Sequence, residues 1–304
     1  MTAVVGRRSM LVNVVEGCVN CGSGSFATWG VTVGRDRLHL SQCRCRDCGL
    51  VFSNPQCDVT TINDYYSHSY YEEHWADVLK DDEQSLAEAV ERQRSEVRRI
   101  RKYVGGGKVL EVGSGTGAFL SAVREAGFEP CGVELSLSAV EHSRRVHRLD
   151  NITQGTLEDA DFREGSFDLI YAWHVIEHVL DLNSFVLSVH RLLRPGGILW
   201  VGTETYRNAG HYLDKAAKLL RGLPPPFSTS SEHTYVFTAA TLSDVLRRRG
   251  FEVLDCESYQ PPLDEKLKAM QFRNVLGKAY FVGVHYLNQL FRTGPLLRLV
   301  ATRK

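Results

Sequence analysis

The chain has 304 residues with 36 basic and 36 acidic side chains, so its formal net charge is zero and its overall field recruits no polyanion. At that length, with 43% of its residues hydrophobic, it is long enough for one full domain plus a small one. No apolar run approaches the roughly 18 residues that cross a bilayer, which argues against a membrane-spanning chain.

At the N-terminus, Gly6-Arg7-Arg8-Ser9 faintly resembles a twin-arginine export signal, but the apolar segment behind it stops at Glu16. The expected location is therefore cytoplasmic. Eight cysteines in a reducing compartment need a reason, and five of them lie between Cys18 and Cys48. Cys18-Val19-Asn20-Cys21-Gly22 and Cys45-Arg46-Asp47-Cys48-Gly49 repeat one pattern, in which two thiolates and a glycine form a knuckle. Two such pairs match a tetrahedral zinc site of Cys18, Cys21, Cys45 and Cys48. The competing readings are a disulfide pair, which the compartment disfavours, and unconnected thiols. Cys43 is a substitute for Cys45, but only Cys45 completes the repeat. Four thiolates leave no open position, so the zinc is expected to be structural and to hold a module that buries little core. Phe26, Trp29, Val31 and Val33 fall between the knuckles, where the length suits a hairpin. Cys57, Cys131 and Cys256 read as small buried residues. The predicted zinc-binding, ribbon-like module covers residues 1–60.

Residues 61–104 are predicted to link it to the rest. Tyr65, Tyr66, Tyr70 and Tyr71 either line a substrate mouth or pack the small module on the large one. From Asp81 to Tyr103 the spacing of Leu86, Val90, Val97, Ile100 and Val104 predicts one helix. It is expected to lie against the sheet edge, with the charge run ERQRSEVRRIRK as its solvated face. No long Gly/Ser linker intervenes, so the modules are expected to be docked.

Residues 105–304 then alternate strand and helix, the pattern of a parallel sheet covered on both faces. Val109, Leu110 and Val112 form a buried strand that ends in Gly113-Ser114-Gly115-Thr116-Gly117, a turn where the backbone can approach a ligand. Phe119, Leu120 and Val123 open the helix behind it. Glu134 ends the next strand, about 20 residues beyond the first glycine, the distance at which a carboxylate takes both hydroxyls of a ribose. A third strand leads to Gly155-Thr156-Leu157-Glu158, and a fourth is FDLIYAWHVIEHV. Leu193-Arg194-Pro195-Gly196-Gly197 precedes the fifth, ILWVGTETY. Ligands in such sheets sit beyond the carboxyl ends of the strands, so these turns are expected around one cleft.

With ExGxGxG, the acidic end of strand two, FDLI…EH and LRPGG in order, the chain from Arg101 onward resembles a class I S-adenosylmethionine (SAM)-dependent methyltransferase. The resemblance implies an α/β, Rossmann-like sheet of seven strands, here with a small N-terminal module. CxxCG…CxxCGLVF resembles the N-terminal part of bacterial methyltransferases of polysaccharide and secondary-metabolite pathways. By resemblance, Glu111, Gly113 and Gly115 hold the methionine end of SAM, with Ser114 and Gly117 in the same turn. Glu134 takes the ribose, and Leu157 with Glu158 the adenine. Thr156 departs from the Asp of many relatives. Trp173 is either an aromatic wall beside the methyl group or core.

Methyl transfer to an alcohol needs alignment and the loss of a proton. Candidate bases are His174, Glu177 and His178 after strand four, and His211 and His233 beyond strand five, with His233, His178 and His174 favoured. The other reading of Glu177 and His178 is that they cap a helix or brace the cofactor loop. Residues 207–237, with Leu223-Pro224-Pro225-Pro226-Phe227, read as a lid. Residues 261–294 form a basic, aromatic insertion before the last strand, and from Lys266 to Lys304 there are eight Lys or Arg and no acid. It suits an anionic membrane surface or a phosphorylated acceptor, or is a solvated helix face. The expected reaction is O-methylation of a sugar hydroxyl on a small or lipid-linked acceptor. The alternatives are C-methylation of a nucleotide deoxysugar, a zinc-finger RNA methyltransferase, and a non-catalytic SAM-binding partner. Neutral charge, and no Asn-Pro-Pro-aromatic run after strand four, argue against nucleic acid.

Overall fold

The architecture follows from the two periodicities of the sequence, and the computed structural model describes residues 2–5, 8–33, 39–57, 83–221, 233–261, 263 and 275–304. Tyr65, Tyr66, Tyr70 and Tyr71, the start of the predicted linker, Leu223–Phe227 and most of the basic insertion lie outside them, as does the side chain of Cys57. The N-terminal part holds β1 (Thr2–Val5), β2 (Arg8–Asn13), β3 (Phe26–Val33), β4 (His39–Cys45), β5 (Val51–Ser53) and β6 (Gln56–Cys57). A long helix, α1 (Glu83–Ile100), follows. Then come β7 (Lys108–Val112), α2 (Ala118–Glu125), β8 (Glu129–Glu134), α3 (Leu137–His147), β9 (Ile152–Gln154), β10 (Phe167–Trp173), α4 (Leu182–Leu192) and β11 (Leu193–Glu204). The chain ends with α5 (Ala209–Leu220), β12 (Tyr235–Val236), α6 (Ala239–Arg247), β13 (Phe251–Tyr259), α7 (Val275–Leu290) and β14 (Leu296–Arg303).

Seven strands form the central sheet in the order β13-β14-β11-β10-β7-β8-β9. The five from β11 to β9 are parallel, and β14 runs antiparallel to both neighbours. Successive residues of β10 point to opposite faces, which divides the core in two. Leu169 and Tyr171 face α1, α2 and α3 through Val97, Ile100, Phe119, Val123 and Val140. Ile170 and Ala172 face α4 and α6, and that core continues without a break into Leu50, Phe52 and Cys18 of the N-terminal module. The two parts of the chain thus share one buried core.

The helix α1 forms where its stripe predicts, but it lies across a sheet face rather than against the sheet edge. Val90, Val97, Ile100 and Val104 are buried with Trp200 and Val300, each apolar side chain contributing about 2 kcal/mol. One member of the run read as solvated is also buried: Glu96 accepts from Trp200 Nε1 and, through both carboxylate oxygens, from Arg298 at 2.9 Å. Glu96 stands one turn before Ile100 and so flanks the apolar stripe.

The module sheet crosses the domain boundary read from the sequence. Its order is β12-β5-β4-β3, so its fourth strand comes from the segment read as a lid. Tyr235 pairs with Phe52, and Val236 with Val51. The α6 helix behind β12 starts on a reciprocal cap between Thr238 and Thr241. Asn20 Nδ2 reaches Asp244 of that helix at 2.7 Å, and Arg249 Nη2 donates to the Val19 carbonyl at 3.0 Å. Among the described residues no helix is long and apolar enough to cross a membrane.

Candidate functional site

Three groups of side chains gather where the sequence placed chemistry. In the first, the sulfurs of Cys18, Cys21, Cys45 and Cys48 all lie within 4.8 Å of one another. Cys18 Sγ is 3.5 Å from Cys48 Sγ, and Cys21 Sγ is 3.6 Å from Cys45 Sγ. Sulfurs about 2.3 Å from a central ion in a tetrahedron stand about 3.8 Å apart, so the donor set fits zinc. Gly22 and Gly49, both at positive φ, close the knuckles by donating to the Cys18 and Cys45 carbonyls. Burial pushes the Cys45 thiol up, but the backbone N–H groups of Cys48 and Asp47 and the thiols of Cys21 and Cys48 outweigh it and hold it at about 7. Cys43 is buried one strand pair away, opposite Phe52, and takes no part in the cluster.

The second group surrounds the turn after β7. Gly113, Gly115 and Gly117 all have positive φ. A Cβ on Gly113 would meet Val175 at 2.8 Å, so the turn after β10 packs directly on the glycine turn. Glu134 accepts from the backbone N–H groups of Gly115 and Ser136 at 2.9 Å each. Glu111 is buried, its Oε2 and the Ser114 hydroxyl have no partner, and burial together with Glu134 pushes the Glu111 carboxyl well above the usual range. A buried carboxyl with an unmet oxygen beside a cradle of glycines is short of a cationic or hydrogen-bonding ligand. Leu157 is buried and Glu158 is exposed at the far end of the same edge. Thr156 is engaged within its own turn, where its hydroxyl reaches Asp159 at 2.7 Å. Trp173 belongs to a column of rings with Phe119 and Tyr171, and Gly202 is small because a Cβ there would overlap the indole.

The third group is His174, Glu177, His178 and His233. Strand β10 ends at Trp173, and His174 follows with φ 54, a left-handed conformation uncommon for a residue with a side chain. This turns His174 Nδ1 to Glu177 Oε1 at 2.9 Å. His178 and His233 stack edge to face with ring centres 4.8 Å apart. Burial pushes the His233 imidazole down to about 4, assisted by His178. Burial pushes Glu177 up, but the hydrogen bond to His174 and the histidines around it outweigh this and hold it at about 2. For His174 the bond to Glu177 outweighs burial and raises the imidazole. His211 lies apart from this cluster, on α5 against Tyr206.

Sequence reasoning missed what holds His233 in place. Its carbonyl accepts from Ser53 Oγ at 3.1 Å, Gln42 Nε2 donates to that same hydroxyl at 2.8 Å, and Ser53 N donates to the next carbonyl, Thr234. Both residues belong to the module sheet, so the cysteine knuckles and the histidine cluster are one mechanical unit. The available signal was Ser53, a polar residue directly after the apolar pair Val51 and Phe52. Arg298 was missed too: it sits 4.3 Å from the Tyr259 ring centre and 5.8 Å from that of Trp173, paired with Glu96 and Glu257.

Comparison with known proteins agrees with this fold. A family model described as a methyltransferase domain matches residues 81–255. A probable S-adenosylmethionine-dependent methyltransferase of Mycolicibacterium smegmatis is 30% identical over 158 residues, covering 52% of this chain and 57% of that protein. A ubiquinone biosynthesis O-methyltransferase of Methylococcus capsulatus is 31% identical over 150 residues, covering 48% of this chain and 61% of that protein. The chain thus spans little more than half the length of these relatives. A SAM-dependent methyltransferase from Archaeoglobus fulgidus has a similar fold, with a TM-score of 0.51 at 16% identity over 70% of this chain and 94% of the other.

Proposed function

Because this chain belongs to the methyltransferase family, whose domain model spans residues 81–255, we propose that it transfers a methyl group from SAM to a hydroxyl oxygen of a small or lipid-linked acceptor, a sugar hydroxyl in the first place. When bound, SAM supplies a methyl carbon already activated by a sulfonium. The observation that carries the reading is the contact of Val175 with Gly113, which sets the histidine cluster beside the glycine turn. Glu111 and Ser114, with unmet buried polar atoms, hold the amino-acid end of the cofactor together with Gly113, Gly115 and Gly117. Glu134 takes the ribose, Leu157 and Glu158 the adenine, and Trp173 walls the site.

The protein's own task is to align the acceptor and remove its proton. His233, kept neutral by burial, accepts that proton, with His178 beside it. Glu177, ionised and buried, stabilises the imidazolium that forms, and His174 orients Glu177. Oxygen as the acceptor atom is supported by the relatives named as ubiquinone biosynthesis O-methyltransferases. The sugar is supported by the likeness of the Cys18–Phe52 pattern to polysaccharide-pathway enzymes. The four cysteines hold a structural zinc, and the spacing of their sulfurs supports it. Exposed Leu219, Leu220, Tyr286, Leu290 and Phe291 on and beside α5 and α7 support peripheral contact with a membrane that carries a lipid-linked acceptor.

Label transfer from methyl-tritiated SAM into extract fractions tests the reading. Label is expected in nucleotide sugars or solvent-extractable glycolipid. Label confined to RNA, or none in any fraction, refutes it.

A further inference from the structure

The cluster beside the glycine turn has the make-up of a cation site. Glu177, His178 and His233 offer one carboxylate oxygen and two imidazole nitrogens, and these atoms all lie within 4.8 Å of one another. Glu177 is only 1% exposed. Its Oε1 is held by His174 Nδ1 at 2.9 Å, whereas its Oε2 is buried and has no partner. A buried carboxylate oxygen left unmet is costly, and an outer imidazole that fixes one oxygen while leaving the other free for an ion is how metal-ligating carboxylates are oriented. The imidazoles approach from two independent elements. His178 comes from the turn after β10, and His233 from the segment before β12, fastened by Ser53 and Gln42. One carboxylate with two histidines is a donor set that takes divalent first-row cations and leaves coordination positions open.

From this juxtaposition we propose that Glu177, His178 and His233 bind a divalent cation of the manganese, iron or cobalt type, with His174 as the positioning residue for Glu177. The four thiolates of the knuckles are a different site with a different preference, for zinc. The open positions take the acceptor's hydroxyl and a neighbouring oxygen, so the favoured acceptor carries two adjacent oxygens, as a vicinal diol does. Coordination makes that hydroxyl more acidic. With the cation bound, the His233 nitrogen is a ligand and no longer takes the proton as it does in the cation-free site: the O–H bond breaks, its proton passes to water, and the oxygen gains a methyl as the carbon–sulfur bond breaks and its electron pair returns to a neutral thioether. The role in transfer rests on the function proposed above. The binding of the cation does not.

The test uses the full chain, zinc-loaded and cleared of other cations, titrated with Mn(II) and followed by the electron paramagnetic resonance of the free ion. One Mn(II) per chain is expected, with the bound ion showing imidazole nitrogen couplings in the wild type. Glu177→Gln and His233→Ala should each bind Mn(II) at least tenfold more weakly while binding S-adenosylhomocysteine as the wild type does, which also reports their folding. A wild type that binds no Mn(II) at ~1 mM, bound Mn(II) without nitrogen couplings, or variants as tight as the wild type would each overturn the site. If S-adenosylhomocysteine binds in those cases, the cation fails and the methyltransferase reading stands. If Mn(II) binds but S-adenosylhomocysteine does not, the reverse holds.

Discussion

Glu111 and Glu134 stand on neighbouring strands and are built for opposite tasks, Glu111 with a buried oxygen still unmet. Glu134 is satisfied by two backbone N–H groups, so it is fixed in position before any ligand arrives. Glu134→Ala should weaken S-adenosylhomocysteine binding at least tenfold by calorimetry, since it removes both the proposed ribose contact and the anchor of Gly115. Wild-type affinity would refute its role. His233 governs acid stability instead. Its folded value is about 4 against an ordinary 6.5, so the unfolded chain takes a proton first as pH falls. Its contribution is therefore complete above about 6.5 and is lost on acidification toward 4, by up to ~3 kcal/mol. Urea unfolding of cation-free protein should show that slope, and His233→Gln should flatten it. Glu177, lowered from 4.5 to about 2, adds a second loss below that window. An unchanged slope in His233→Gln would mean that the imidazole is not buried neutral.

The strand β5 is only three residues long, yet it joins the cysteine knuckles to the histidine cluster. Cys45→Ser should therefore lose the proposed zinc, lower the melting temperature, and cut turnover while S-adenosylhomocysteine affinity is retained, because Glu111 and Glu134 sit on other strands. One zinc per chain retained in Cys45→Ser, by atomic absorption, would break the argument. A second element-scale lock is Glu96 on α1 with Arg298 on β14. Glu96→Ala leaves a buried guanidinium short of its partner and should cost about 3–5 kcal/mol by urea unfolding, whereas replacing the pair by Leu and Met should recover most of it. If the double replacement is no better than the single one, the cost lies elsewhere. The sequence spoke clearly where a pattern repeats locally: the knuckles, the glycine turn, the apolar runs of β7, β10 and β11. It was silent on β12, because two residues pair with two others far back in the chain and no periodicity marks such a contact. Glu96 was hidden for a related reason, since a charge inside a charged run looks solvated until its distant partner is seen.

At the scale of the whole molecule the net charge is zero, yet basic and exposed apolar side chains come together on and beside α5 and α7. The helices α5 and α7 pack together, with Ala209 N donating to Asn288 at 2.7 Å. Outside that contact they expose Leu219 at 73%, Leu220 at 88%, Leu290 at 73% and, just beyond α7, Phe291 at 66%. Lys215, Lys218, Lys278 and Arg292 accompany them, and no acid occurs after Glu265. Scattered exposed leucines are ordinary, but apolar side chains interleaved with cations favour an anionic bilayer, where both the area and the charge act in the same direction. The full chain should therefore co-sediment with vesicles containing about a third phosphatidylserine, and not with neutral ones. Leu219→Asp with Leu220→Asp should reduce that binding at least tenfold, because it removes apolar area and adds two repelled charges. Raising the salt should weaken the wild type only partly, since the apolar share is unscreened. Equal binding to neutral vesicles would remove the electrostatic half of the argument, and full binding by the double variant would remove α5 from the contact.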